Sequence, residues 1–394
     1  MIGLKIKIPL RGIIAAILSF AVCVSVLTAA VIKKEFMPLR LSTAFKISEI
    51  KELVEKDFYF GVDNEKLSEA VVSGYVDGLG DSYSEYYNTR DAEEYNDKLV
   101  GESYGIGLIS VPEKSGLYVW RVYDGGPADT AGIKPYDIIT EVDGKPVTEL
   151  TVSDALELLK GKGGETKKIK VKRGEETLNF ELKCEDCDVQ TVFAYVSDEH
   201  NVGRVEVLSF NKKTSAQFKA AVDSLIEIGV KGIVIDLRHN GGGTVESAAR
   251  MLDYLLPKGD TLHIKYNDGK IRTRNTSDKN SVDIPFAILT DSKTASASEL
   301  FACTMRDYGK AVLIGGKTYG KFVIQRTYTL SDGSKVKFTV AEFVSAGGES
   351  FNGVGLTPDI EVDVGDYDGT LYYFMSERED EALQTAFNYF DKLR

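Results

Sequence analysis

The sequence predicts an α/β protein that carries an inserted α+β module, a helical N-terminal segment and one transmembrane helix. Three observations predict this. Residues 12–32 form a run without a charged side chain. Residues 99–187 alternate short strand-like runs with glycine turns. Residues 188–394 repeat an order of apolar strand, small-residue loop and helix. At 394 residues the chain has room for two or three cores. Its 43% hydrophobic and 27% charged fractions are those of an ordinary globular protein. A net charge of −12, with no basic stripe interleaved with aromatics, argues against a nucleic-acid partner.

Residues 1–11 read as a basic tail, with Lys5, Lys7 and Arg11 before the uncharged run. The run is long enough to cross a bilayer, and the charge bias would keep the N-terminus in the cytoplasm. The reading is a single-pass anchor over 12–32 in the cell membrane, with the remainder extracytoplasmic. A cleaved signal peptide is the rival, since Thr28-Ala-Ala30 is a passable cleavage site. Residues 33–98 form a linker and a helical region. Ile47, Ile50, Leu53 and Val54 recur at helical spacing, as do Leu67, Val71, Tyr75 and Val76. They predict a small helical cap, with an aromatic turn at Gly78-Leu-Gly-Asp-Ser-Tyr-Ser-Glu-Tyr86.

The module at 99–187 opens with Tyr104-Gly-Ile-Gly-Leu108 entering a strand, followed by a second strand around Val119, Arg121 and Tyr123. Gly126-Pro-Ala-Asp-Thr-Ala-Gly132 has Pro at a helix start and Gly at its end. Asp137–Val142 reads as a strand and Asp143-Gly144 as a hairpin turn. Thr151-Val-Ser-Asp154 opens a helix, and 169–182 closes with a hairpin. This order resembles a PDZ domain of the bacterial, circularly permuted kind. The resemblance implies that a peptide C-terminus adds as a strand, its carboxylate held by N–H groups of Ile106, Gly107 and Leu108. Cys184-Glu-Asp-Cys187 is a lone C-x-x-C. With only three histidines in the chain and none at ligand spacing, a local disulfide or two plain thiols is the reading, and no metal site is expected.

In residues 188–394, Gly203–Leu208 reads as a strand and Thr214–Ile228 as an amphipathic helix. Lys231–Leu237 reads as a buried strand running into Arg238-His-Asn-Gly-Gly-Gly-Thr244 and a helix from Val245. Such a loop presents N–H groups to an anion. It lacks the Lys-Ser/Thr of a nucleotide-binding loop, and Gly315-Gly-Lys-Thr318 has Ala311 where that motif needs its first glycine. After the apolar run 284–289 comes Thr294-Ala-Ser-Ala-Ser-Glu-Leu300, small residues at a strand-to-helix junction. An ordinary Ser/Thr cap would look the same, but a serine nucleophile gains there from free N–H groups able to hold an oxyanion.

A serine needs a base. His239 is one candidate. Lys321, in Gly315-Gly-Lys-Thr-Tyr-Gly-Lys321, is another, because burial lowers the pKa of an ammonium. Gln325 follows four residues later, able to orient it. Taken together these stretches resemble the carboxy-terminal processing (tail-specific) serine proteases, as do Gly78-Leu-Gly-Asp81, Gly353-Val-Gly-Leu-Thr-Pro-Asp359 and Asp380-Glu-Ala-Leu-Gln384.

The resemblance implies a ClpP/crotonase-like core with a C-terminal helix. It makes Ser296 the nucleophile, Lys321 the base and Gln325 the third catalytic residue, with oxyanion donors at Gly242 and Ala297. The expected function is a membrane-anchored serine endopeptidase that reads substrate C-termini and needs no cofactor. Expected partners are proteins or peptides with apolar C-termini and the membrane. A regulatory partner protein and a homodimer stay open. Phe322, where the family has glycine, raises the expectation of a narrowed or misaligned cleft. The rival readings are a silent membrane-anchored peptide-binding scaffold, and a Ser296–His239 hydrolase with an acidic third member such as Asp236.

Overall fold

The computed structural model describes residues 20–22, 24, 41–161, 164–278, 281–363 and 371–393. The chain divides into two compact units, Met1–Val72 and Ser73–Arg394. In the first, a helix spans Leu41–Asp57 and a second begins at Asn64. Of the residues at helical spacing, Ile50, Leu53, Leu67 and Val71 are exposed, and Ile47 and Val54 are partly buried.

The expected transmembrane helix is corrected here. Among the described residues no helix is long and apolar enough to cross a membrane. Of the run 12–32, only residues 20–22 and 24 are described, and the rest lies outside the described residues. The single-pass anchor, the membrane as a partner and the extracytoplasmic placement drawn from it are therefore withdrawn.

The second unit is built on a six-stranded sheet in the order Val192–Ser197, Val202–Val207, Ile233–Asp236, Phe286–Thr290, Ala311–Gly315 and Ile360–Glu361. The first pair is antiparallel and the others are parallel. Strand alternation sends successive side chains to opposite faces. Ile233, Ile235, Phe286, Ile288 and Leu313 join one core with the helices Thr214–Ile228, Val245–Leu255 and Ala297–Asp307. Val234, Ala287, Leu289 and Ile314 join another with the C-terminal helix Glu381–Lys392. That helix comes so close that a Cβ on Gly232 would stand 2.4 Å from the Phe390 ring, which explains a glycine at the foot of a buried strand.

Three loops that follow the carboxyl ends of neighbouring parallel strands (237–244, 291–296 and 316–322) emerge side by side, the usual place for a site on such a sheet. A second, antiparallel sheet pairs Glu85–Tyr87, Lys335–Val344, Gly259–Tyr266 and Ile271–Ser277, with Val323–Thr329 also on Lys335–Val344.

The segment between Gly105 and Lys183 forms its own sheet and core around Ile106, Val119, Ile139, Val142 and Val171. Short strands Glu102–Gly105 and Glu185–Asp188 pair and clasp its two ends. Cys184 and Cys187 are buried free thiols, and burial pushes both thiol pKa values up. This module docks on the main sheet through a largely buried ion pair: Arg121 Nε and Nη2 both donate to Glu206 Oε2, at 3.0 and 2.7 Å. Beside it, Trp120 packs edge-on against Tyr373, with ring centroids 4.6 Å apart.

Candidate active site

Ser296 precedes the first residue of the helix Ala297–Asp307, at φ 59° and ψ −117°. That conformation is strained for a residue with a Cβ, by about 1–3 kcal/mol, and persists only where its surroundings over-determine it. They do. Thr294 Oγ1 donates to Leu237 O at 2.9 Å. Ala295 N–H and Ser298 Oγ both donate to Asn240 O, at 3.1 and 2.9 Å. Ser296 N–H donates to Glu299 Oε2 at 2.8 Å. Ser296 is left 9% exposed on the sharp bend.

Glu299 carries more than this one bond. Its side chain is fully buried, and its carboxylate accepts from four donors. Oε2 takes the N–H groups of Ser296 and Lys321, each at 2.8 Å; Oε1 takes Gly320 N–H at 2.7 Å and Thr318 Oγ1 at 2.5 Å. One carboxylate thus fixes the backbone of the serine bend against that of the lysine loop. The sequence reading gave Glu299 no role. Ser296-x-x-Glu299 is capping-box spacing, and that signal would have found it.

Lys321 is half-buried, and its ammonium rests on the face of Tyr83, 4.4 Å from the ring centroid. Burial, then repulsion from Lys337, lowers its pKa below the ordinary lysine value; Asp81 and Glu299 pull the other way. Burial and the neighbouring Tyr319 push the Tyr83 phenol pKa up. Among the described residues no hydrogen bond joins Lys321 Nζ to Ser296 Oγ. The structure therefore brings the two backbones together and leaves the amine turned onto Tyr83. Gln325 is likewise engaged elsewhere, its Nε2 donating to Thr339 Oγ1 at 3.2 Å. Phe322 does not enter the cleft: it is fully buried, stacked obliquely 4.4 Å from Phe343 and 5.3 Å from Phe351.

Gly242 lies against the serine. A Cβ there would stand 2.8 Å from Ala295 O, 2.9 Å from Ser296 Cβ and 3.0 Å from Ala297 N, and its φ of 101° suits glycine alone. Ala297 N–H, at the first helical position, has no partner within its helix, and its nitrogen lies beside this space. Gly242 N–H donates to Asn240 Oδ1 at 2.9 Å, so this donor is engaged.

His239 is drawn away from Ser296. Its ring stacks on Tyr372 at 4.2 Å, and Nδ1 stands 2.7 Å from Asp291 Oδ2. Asp236 is committed to two guanidinium groups, Arg238 and Arg204, each at 2.7 Å. Burial would raise its pKa, but those two charges hold it well below the usual carboxylate range.

In the module, Gly107 has φ 74°, and the carbonyls of Ile106 and Gly107 accept from Ala128 and Tyr123 N–H at 2.8 and 3.0 Å. In trans peptides the N–H groups of Gly107 and Leu108 then point the opposite way. A groove of about 300 Å³ lies here, closed by Leu156 and Leu159 of the helix Val152–Leu159. Its Tyr104 and Lys160 also line a larger cavity of about 830 Å³ that reaches Phe210, Gly242 and Gly243.

Residues 201–362 match the model of peptidase family S41, and residues 105–184 match that of a PDZ domain. The chain is 32% identical over 346 residues to "Carboxy-terminal processing protease CtpA" of Bacillus subtilis (strain 168), covering 87% of this chain and 74% of that protein. It is 34% identical over 329 residues to "Probable CtpA-like serine protease" of Staphylococcus aureus (strain N315), which accounts for 82% of this chain but only 65% of that relative's length. A solved structure from Bacteroides fragilis NCTC 9343, described as an S41 protease, superposes with a TM-score of 0.59 over 86% of this chain and 93% of that one, at 18% identity, which speaks for the fold. The chain belongs to peptidase family S41 and contains a PDZ domain.

Proposed function

We propose that this chain is a serine endopeptidase that captures a substrate by its C-terminus in the PDZ groove and cleaves it at Ser296. The observation that carries this reading is the Glu299 carboxylate, which holds the strained serine bend and the loop of a pKa-lowered lysine on one oxygen atom. The Ile106–Leu108 loop binds the terminal carboxylate, with an apolar side chain between Leu156 and Leu159.

In the reacting form neutral Lys321 leaves Tyr83 and takes the proton of Ser296 Oγ. The oxygen attacks the peptide carbonyl carbon, and the C=O electron pair moves to oxygen. The oxyanion is held by Ala297 N–H and by Gly242 N–H once it is released from Asn240. The ammonium of Lys321, oriented by Gln325, protonates the departing amine. Water then attacks the acyl carbon and gives a proton to Lys321, which passes it to Ser296 Oγ as the acyl–oxygen bond breaks, restoring both side chains. Each oxyanion donor contributes about 3–4 kcal/mol to such a step. In the structure the Lys321 amine rests on Tyr83, and Gln325 and Gly242 N–H are hydrogen-bonded elsewhere, which favours a resting form that substrate or a regulatory partner converts.

The test is cleavage of an unfolded protein with an apolar C-terminus, free or amidated. Ser296→Ala and Lys321→Ala should each lower kcat/KM by about 10³-fold or more, and amidation should slow the wild type. A Lys321→Ala variant with full activity would sink the base assignment. Equal rates on both substrate forms would sink the C-terminal capture.

A further inference from the structure

A third cavity, of about 510 Å³, touches the residues that follow the candidate oxyanion loop. Val245 forms one wall, and Gln325, on the strand after Lys321, lines another. Leu262, Ile264, Ile324 and Ala341 give it an apolar floor. Two arginines, Arg274 and Arg326, stand on its lining; both are exposed. Among the described residues neither guanidinium has a hydrogen bond, ion pair or ring contact. Glu246 also lines the cavity, but it is paired with Arg250 at 2.6 Å.

The direction of a bound substrate follows from the other two cavities. Its C-terminus lies in the groove of the PDZ domain. The cavity of about 830 Å³ shares Tyr104 and Lys160 with that groove and reaches Gly242 and Gly243, so it takes the segment between the C-terminus and the cleaved bond. The segment amino-terminal to the bond then runs past the residues that open the helix after that loop, Val245 and Glu246, where the third cavity lies.

The charge there is opposite to that of the whole. A chain of net charge −12 repels acidic segments in general, yet this cavity offers two unpaired guanidinium groups above an apolar floor. Arginine pairs with carboxylates through parallel N–H groups, a geometry a lysine cannot copy. Resting on the endopeptidase reading above, we infer that this cavity holds the substrate segment amino-terminal to the cleaved bond, with an apolar side chain on the floor and an acidic side chain between Arg274 and Arg326.

The experiment uses the full chain and peptides that share one apolar C-terminus. Mass spectrometry of the products locates the cleaved bond. Positions amino-terminal to it are then varied between Asp and Lys. At one of the first few positions kcat/KM for the Asp peptide should exceed that for the Lys peptide by about tenfold, a preference that shrinks at high salt. The Arg274→Glu/Arg326→Glu double variant should reverse the order. A ratio within twofold in the wild type, or an unchanged order in the double variant, overturns the inference. Binding of the same peptides to Ser296→Ala separates the two layers of the argument. If the wild type cuts neither peptide, the endopeptidase reading fails. Tighter binding of the Asp peptide, lost on charge reversal, would still support the subsite, and equal affinities would refute it.

Discussion

Lys321 shows how one side chain is tuned by what surrounds it. A lysine in water titrates near pH 10.4 and is a poor base at neutral pH. Here burial disfavours the ammonium, and Lys337 adds like-charge repulsion. Lys337 itself stays charged, bonded to Glu85 Oε2 at 2.9 Å and Tyr87 Oη at 2.6 Å. A base acts when deprotonated, so activity should rise with pH through the pKa of Lys321, below the pH of a free lysine. Lys337→Met removes a charge that favours the neutral amine. Its pH–kcat/KM profile should therefore keep the same shape with the rising limb moved to higher pH. A limb that stays in place or moves down would show that Lys337 does not act on the base. Lys337 was not legible, because its proximity comes from pairing of the strands Val323–Thr329 and Lys335–Val344. Tyr83 was legible only as an aromatic in a turn.

Between elements, the decisive contact is the junction of the serine helix and the lysine loop at Glu299. Substituting Gln keeps the shape but replaces one acceptor oxygen with an amide donor, facing N–H or O–H groups already aimed at it. A lost buried hydrogen bond leaves a penalty of about 1–3 kcal/mol. Glu299→Gln should therefore lower kcat by about 10–100-fold, with KM little changed because Glu299 does not line the groove. A drop confined to KM would contradict this role. Most elements that carry the site were legible. Thr214–Ile228 shows helical periodicity, and the apolar runs 231–237 and 284–289 contain the buried strands Ile233–Asp236 and Phe286–Thr290. The antiparallel sheet around Gly259–Tyr266 and Lys335–Val344 was not read, although Leu262, Ile264 and Tyr266, and Val336, Phe338 and Val340, alternate with polar residues; alternation marks a strand but not its partner, and these partners lie far apart in the chain. The engaged states of Gln325 and Gly242 were also illegible, since rotamers and single N–H directions are set by tertiary contacts.

Across the molecule, a row of alternating buried charges runs from the PDZ domain to the C-terminal helix. Arg121 meets Glu206 at 2.7 Å, and Glu206 meets Arg204 at 3.3 Å. Arg204 meets Asp236 at 2.7 Å, Asp236 meets Arg238, and Arg238 meets Asp380 at 2.6 Å. Asp236 and Arg238 begin the loop that ends at Gly242, and Asp380 caps the helix Glu381–Lys392. Arg121→Met leaves Glu206 buried with Arg204 and the Tyr372 hydroxyl as remaining partners. It should cost about 2–4 kcal/mol, read as a lower Tm, and speed hydrogen exchange along Val202–Val207. An unchanged Tm would mean that the aromatic contacts of Trp120 suffice for docking. The lysine on Tyr83 has a further consequence, in populations. If the aligned arrangement lies about 1–3 kcal/mol above the resting one, the size of one or two such contacts, then roughly 1–15% of molecules are competent at any instant. A purified sample would then turn over slowly because few copies are ready, while each ready copy works at full speed. Pre-steady-state bursts and the rate at which a fluorophosphonate labels Ser296 would measure that fraction directly, and a ligand that occupies the PDZ groove would raise both together.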